Sequence, residues 1–137
     1  MIQYIDTLDG IRSDALEGFF VGWPNPPSAE TLWRLLHGSA FRILAVDTDS
    51  EKVVGFINAI SDGVLSAYIP LLEVLPSHQK RGIGAELVRR MLDRLHHLYM
   101  IDLCCDEHLE GFYSRLGMKR TVGMITRNYH RQSGGAR

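Results

Sequence analysis

The sequence of 137 residues predicts an α/β fold with a mixed central sheet of about seven strands and about four helices. Three observations carry that reading. Short β-branched apolar runs, Phe41 to Val46 and Val53 to Ile60, flank the turn-forming segment Asp47-Thr48-Asp49-Ser50-Glu51, which is hairpin chemistry. Residues 71–105 read strand, glycine loop, helix, strand, which normally means a crossover between parallel strands. Two helical segments precede most of the strands, so helices are available to cover a sheet.

In chain order, residues 2–5 form a first strand, and Ser13 caps a helical segment to Val21. Gly22-Trp23-Pro24-Asn25-Pro26-Pro27 breaks the chain. Ser28 caps a second helix in which Leu32, Leu35 and Leu36 recur at helical spacing, and Gly38 stands where a C-terminal stop belongs. After the hairpin, Ser61-Asp62-Gly63 turns into a strand from about Leu65 to Leu75. Pro70 in that run cannot donate to a ladder, so a bulge, an edge position or a start near Leu71 is expected. From Gly82, Ile83, Leu87, Val88, Met91, Leu92 and Leu95 follow one helical face, with Glu86, Arg89, Arg90, Asp93 and Arg94 on the other. Tyr99 to Cys105 reads as a strand and Glu107 to Leu116 as a helix ended by Gly117. Lys119 to Thr121 and Met124 to Tyr129 read as two last strands joined near Gly123. One domain is expected over 1–132, with 133–137 a mobile tail that lacks apolar anchors.

Fifteen basic against sixteen acidic residues give a formal net charge of -1, which offers no general attraction for nucleic acid or acidic lipid. No window approaches the ~18 apolar residues of a membrane span. Met1-Ile2-Gln3-Tyr4-Ile5-Asp6 has neither a basic nor a long apolar region, so a cytoplasmic location is expected. Cys104 and Cys105 are adjacent, a spacing that suits neither a mutual disulfide nor common zinc sites, and they read as buried strand residues. His96-His97 and Cys105-Asp106-Glu107-His108 contain metal-ligating types without a ligand spacing, so no metal is expected.

The most informative stretch is Gln79-Lys80-Arg81-Gly82-Ile83-Gly84-Ala85, between a strand and a helix. A helix start offers unpaired N–H groups and the positive end of the dipole, and glycines let an anion approach. No Lys followed by Ser or Thr closes the loop, which excludes the nucleotide loop of that type. The third glycine of a dinucleotide fingerprint is also missing. On the glycines alone, an anion site and a plain strand-to-helix turn both remain open.

The neighbouring residues add a resemblance. Leu72-Glu73-Val74-Leu75-Pro76, the loop from Gln79 to Ala85 and Leu87-Val88 resemble the central motif of the GNAT N-acetyltransferase superfamily, Q/R-x-x-G-x-G/A after a strand. Gly111-Phe112-Tyr113-Ser114-Arg115-Leu116-Gly117-Met118 is similar to that family's second motif, with Met118 in place of the usual phenylalanine. The resemblance covers essentially the whole chain. It implies a strongly twisted sheet whose fourth and fifth strands splay apart around acetyl-CoA as co-substrate. Backbone near Leu72 and Val74 would pair with the pantetheine amides. The N–H groups of Lys80, Arg81, Gly82, Ile83, Gly84 and Ala85 would take the pyrophosphate, with Gln79 and Arg81 beside it. The implied reaction is direct attack of a primary amine, on a small molecule or a protein, without an acyl-enzyme. The alternative is a CoA-binding regulatory module without chemistry. Dimers are frequent among such enzymes, so a homodimer is among the implied partners.

By the same resemblance Tyr113 stands where a phenol acts as general acid toward the CoA thiolate, its other reading being a packed helix aromatic. Glu73, an acid within an apolar strand, is the candidate general base, or else a rim carboxylate paired with an arginine. Tyr68 and Asp62 are weaker candidates. Phe19, Phe20, Trp23 and Trp33 come from the region that shapes the acceptor pocket in this family, and core packing explains each equally well.

Overall fold

The structure is a computed structural model, and residues 1–135 are described. Over these residues the sheet has six strands: β1 (Ile2–Ile5), β2 (Phe41–Asp47), β3 (Lys52–Ser61), β4 (Ser66–Tyr68), β5 (Leu72–Val74) and β6 (Met100–Asp102). Three α-helices flank it, α1 (Ala29–Gly38), α2 (Ile83–Arg94) and α3 (Glu110–Arg115), the last prolonged at its start by a 3-10 turn over Glu107–Leu109. The order along the sheet is β1-β2-β3-β4-β6, with β5 also paired to β3. Only β4 and β6 run parallel, so the sheet is mixed. No helix among the described residues is long and apolar enough to cross a membrane.

β3 is the centre of the molecule, buried from Val53 to Ala59 on both faces. Its alternation sends Phe56 toward the segment after β1, where Phe19 packs edge-on at 5.0 Å between ring centroids. The neighbouring Gly55 faces α2. A Cβ there would lie 3.2 Å from a Leu87 methyl and 3.3 Å from both the Glu73 carbonyl oxygen and Ile83, so a glycine is what lets α2 settle this close to the sheet. Ile83, Leu87, Val88 and Met91 are the buried stripe of α2, as their spacing predicts. Burying each such side chain stabilises the fold by about 1.5–3 kcal/mol.

α1 begins as expected, with the Ser28 hydroxyl accepting from the Thr31 N–H at 3.1 Å. Several other expectations need correction. The segment from Ser13 to Val21 forms only a 3-10 turn over Ser13–Leu16, with Arg12 rather than Ser13 at its cap. Its continuation would carry Gly18 and bury two successive aromatics, Phe19 and Phe20, which no single helix face does. Instead Gly18 and Phe20 adopt left-handed backbone, with φ of 97° and 63°.

The strand from Leu65 to Leu75 is cut at Ile69-Pro70-Leu71 into β4 and β5, as a residue without an N–H requires. The strand from Tyr99 to Cys105 shrinks to three residues, and both cysteines are exposed rather than buried because the ladder with β4 ends before them. The two last strands do not form. Residues 119–128 have no regular structure, and a 3-10 turn follows over Tyr129–Arg131. Among the described residues, no backbone N–H from 119 to 128 finds a protein acceptor, so no ladder forms. In the tail, the Gly134 N–H donates to the Arg131 carbonyl at 2.9 Å. Ala136 and Arg137 of the expected mobile tail lie outside the described residues.

Candidate functional site

The site begins where β4 and β6 part company with β5. The Ile69 N–H still reaches the Asp102 carbonyl at 2.9 Å, the last bond of that parallel ladder. β5 pairs with β3 alone. Along β5 the bonds to β3 fall at alternate residues, Leu71 to Asn58 at 3.3 Å and Leu75 to Val54 at 2.8 Å, with Glu73 opposite Phe56 between them. Leu72 and Val74, out of phase with those, turn their backbone groups to the unpaired edge. The splayed strands expected at this place are therefore present, and one wall of the split is lined by peptide groups with no strand opposite.

At the end of that wall stands the glycine loop. Lys80 and Gly82 have φ of 63° and 82°, two left-handed residues within three positions, the kind of turn that gathers N–H groups on one concave side. Gly82 caps α2 with no side-chain acceptor. Among the described residues, none of the N–H groups of Lys80, Arg81, Gly82, Ile83, Gly84 and Ala85 has a protein acceptor. That is a row of donors at the positive end of a twelve-residue helix. A Cβ on Gly84 would fall 3.7 Å from Val74 and 3.8 Å from Phe112, so the loop, β5 and α3 meet at that glycine. The Gln79 amide donates to the Val74 carbonyl at 3.0 Å and ties the loop to the strand.

Charge is distributed unevenly around α2. Arg89 and Arg90 are paired with Glu86, and Arg94 with Asp6. Among the described residues Lys80 and Arg81 form no ion pair, so the uncommitted cations sit at the loop.

Tyr113 follows Phe112 on α3. Its ring packs edge-on against Phe112 at 4.9 Å, and it is half-buried. Burial, with a smaller contribution from the nearby Cys105 thiol, pushes its phenol up to about 12, so it stays protonated at neutral pH. Glu73 is committed in a way the sequence did not foretell. Its two oxygens accept from the backbone N–H groups of Phe20 at 2.8 Å and Val21 at 3.3 Å, and among the described residues no arginine pairs with it. The partners lie 53 and 52 residues away, and the only local signal was an acid in an apolar run. The carboxylate thus holds Phe20 in its left-handed conformation, a strained state that persists only when the surroundings enforce it.

The weaker candidates separate. Asp62 caps its own turn: one oxygen accepts from Val64 and Leu65 at 2.9 Å and from Ser66 at 3.2 Å. Those donors, Leu65 foremost, lower its pKa to about 2, which suits a structural anion and not a base. Tyr68 lies against Cys104, whose side chain first and burial second raise its pKa. Phe19 and Phe20 belong to the core, and Trp23 packs on Phe20 at 4.8 Å while remaining partly exposed. Trp33 donates to the Ile11 carbonyl at 2.9 Å. Two clefts lie elsewhere, one of about 420 Å³ between β1 and α2 and one of about 510 Å³ beside Trp33. Neither touches the loop, β5 or Tyr113. The split in the sheet, where the free donors converge, is the better candidate because its walls present chemistry rather than volume.

A model of the acetyltransferase (GNAT) family matches residues 8–118. A crystal structure of a candidate acetyltransferase from Deinococcus radiodurans R1 is 50% identical, covers 99% of this chain and 94% of its own, and superposes with a TM-score of 0.95. A GNAT-family acetyltransferase from Streptococcus pneumoniae TIGR4 is 33% identical, with 93% and 98% coverage and a TM-score of 0.73. Among curated proteins, GCN5-related N-acetyltransferase 1, chloroplastic, of Arabidopsis thaliana is 32% identical over 116 residues. That match takes in 81% of this chain and 58% of the plant protein, so the chain spans less than two thirds of that relative.

Proposed function

The chain belongs to the acetyltransferase (GNAT) family, and from that premise we propose that it transfers an acetyl group from acetyl-CoA directly to a primary amine of a small-molecule or protein acceptor. The observation that carries this reading is the pairing of two backbone surfaces, the edge of β5, which has no strand opposite, and the loop at the head of α2, whose N–H groups have no acceptor among the described residues. An elongated ligand with amides at one end and a pyrophosphate at the other fits both. Leu72 and Val74 hold the pantetheine amides. The N–H groups from Lys80 to Ala85 hold the pyrophosphate, Lys80 and Arg81 add charge, and Gln79 fixes the loop against the strand. Direct attack of the amine needs no nucleophile from the protein.

Tyr113 is assigned the leaving thiolate. A free thiol has a pKa near 8.5, well below that of the Tyr113 phenol, so complete proton transfer is uphill unless the thiolate is itself desolvated. The hydroxyl therefore stabilises the thiolate first by a hydrogen bond, in a site where burial strengthens that bond. Glu73 is assigned the base. Its two hydrogen bonds leave a second lone pair on each oxygen, enough to receive the amine proton directly or through one water. The same carboxylate anchors the 18–23 loop, on which Trp23 is the exposed aromatic.

The test is a thermal shift with acetyl-CoA followed by free-thiol release across a panel of primary amines. Stabilisation by acetyl-CoA and amine-dependent thiol release are expected. Stabilisation with no thiol release from any amine would favour a binding module, and no stabilisation would overturn the cofactor assignment.

A further inference from the structure

Residues 17–23 cross the face of the sheet that carries Glu73, and left-handed backbone recurs in them at alternate positions, Gly18, Phe20 and Gly22, with φ of 97°, 63° and 84°. Two of the three are glycines, which adopt this backbone readily. Phe20 is the exception, a bulky residue in a region that bulky residues avoid. The segment passes over β5 in step with it: a Cβ on Gly18 would fall 3.4 Å from a Leu75 methyl, and two residues later Phe20 reaches Glu73. A turn closes there, with the Trp23 N–H donating to the Phe20 carbonyl at 3.2 Å. The first two N–H groups of that turn, Phe20 and Val21, are thus both held by one carboxylate, and its last residue is Trp23, packed on Phe20 and 38% exposed.

That grip depends on charge. An ionised carboxyl only accepts, at both oxygens, whereas a protonated one has made one of them a donor. One of the two N–H groups then loses its acceptor, and the bond left to the other joins neutral groups and is about half as strong. Among the described residues neither N–H has a second protein acceptor to turn to. No neighbouring ion takes over the part of the carboxylate. The one ionisable side chain of β3 is Lys52, whose ammonium donates to the Glu17 carbonyl at 2.8 Å and so holds the head of the same segment. Glu17 is the other acid of that segment and is exposed. Glu86, Arg89, Arg90, Asp93 and Arg94 of α2 lie across the sheet, since Gly55 faces α2 while Phe56, opposite Glu73, faces the crossing segment. His78, beyond the end of β5, is paired with Asp47 at 3.4 Å.

We propose that the turn from Phe20 to Trp23 is a proton-operated latch, closed while Glu73 is ionised and released when Glu73 is protonated. On release Phe20 leaves its left-handed backbone and Trp23 moves with it. The latch itself needs only the carboxylate, but its place in a reaction rests on the acetyl-transfer reading. As the new C–N bond forms and the C–S bond breaks, the amine proton passes to Glu73, so the turn opens on the product side and lets the acetylated amine go. Glu73 gives the proton to water before the turn closes again.

The test uses neither acetyl-CoA nor an amine, so its result is separate from that of the thiol-release assay. Trp33→Phe leaves Trp23 as the only tryptophan of the chain. In that background acrylamide quenching of Trp23 is followed from about pH 8 to about pH 4, together with the Phe20 and Val21 amide protons and the Glu73 carboxyl carbon by NMR. Quenching should rise roughly twofold or more on acidification, in step with the Glu73 carbon and with an upfield move of both amide protons, while far-ultraviolet circular dichroism is kept. Glu73→Gln has the shape of the protonated acid and one acceptor oxygen, so it should be quenched roughly twofold or more above its parent at neutral pH and ignore pH thereafter. Quenching that is flat with pH, or that changes out of step with the Glu73 carbon, overturns the latch, as does a folded Glu73→Gln chain quenched like its parent. A rise that comes only with loss of circular dichroism is unfolding and overturns it too. If Glu73→Gln does not fold, the pH series of the parent decides by itself.

Discussion

The two sides of the split in the sheet are built to different degrees. On the β5 side everything is fixed by the chain's own packing: β5 is laddered to β3, Gln79 pins the loop to Val74, and Glu73 is engaged by Phe20 and Val21. On the β6 side the strand has three residues, both cysteines are exposed, α3 has six residues and the segment after it lies open. Both sides leave backbone groups unpaired, yet the two deficits differ in kind. Donors converging at a helix start amid free cations suit an anion, whereas an unpaired run bearing exposed Val122, Met124 and Ile125 offers apolar surface instead. An unsatisfied backbone is informative only together with the side chains around it.

The largest effect expected of a single change tests the fixed side. Glu73→Gln removes the proposed base and should lower turnover about 100-fold or more. It should also abolish the acidic limb of the pH profile of kcat/KM. Gln offers one oxygen where the carboxylate offers two, so the N–H of Phe20 or Val21 loses its acceptor and Tm should fall as well. A lowered Tm with an unchanged acidic limb would leave Glu73 as a loop anchor alone. On the looser side, Tyr113→Phe should reduce kcat by about 100-fold or less with acetyl-CoA affinity kept, because only the hydroxyl is lost. Equal loss in kcat and affinity would instead mark Tyr113 as part of the wall.

Gly82→Val puts a β-branched residue at a φ of 82°, a strain of about 1–2 kcal/mol. If the loop is the pyrophosphate site, acetyl-CoA should bind roughly tenfold more weakly and folded content should change little, as isothermal calorimetry and circular dichroism would report. An unaltered affinity would return the loop to the status of a plain turn. The smallest effect belongs to Asp62, at the turn leading into β4. Its folded pKa, about 2, lies below the ordinary carboxylate value, so its stabilisation is complete above pH ~4 and is lost as pH falls toward 2. Asp62→Asn should flatten that part of the stability profile, measured by urea unfolding between pH 4 and 2, and leave the profile at neutral pH little changed in shape.

How far the sequence could be read follows the same division. The face of α2, the Ser28 cap and the break at Pro70 are consequences of residues within a few positions of one another, and all are visible in the text of the chain. The left-handed Phe20 and the engagement of Glu73 depend on a contact across 53 residues, which no local pattern encodes. Lys119 to Thr121 and Met124 to Tyr129 have strand composition, yet composition specifies a strand only where an edge is within reach. Residue type alone predicts buried cysteines, but the ladder ends at Asp102, two positions short. Tyr113 carried no signal of its own beyond family resemblance, since an aromatic on a short helix is ordinary.

The absent side chain at Gly55 has a reach longer than its own neighbourhood. One methyl group there would meet α2 near its start and the Glu73 carbonyl together. Hydrogen thus serves as a spacer of the thinnest available gauge, and it sets how far the helix stands off the sheet. Thickening it to alanine would act as a shim under one end of a lever: α2 would tilt, and the row of donors from Lys80 to Ala85 would lift away from the edge of β5. Two binding surfaces that a single elongated ligand must touch at once would then fall out of alignment, though neither had been altered.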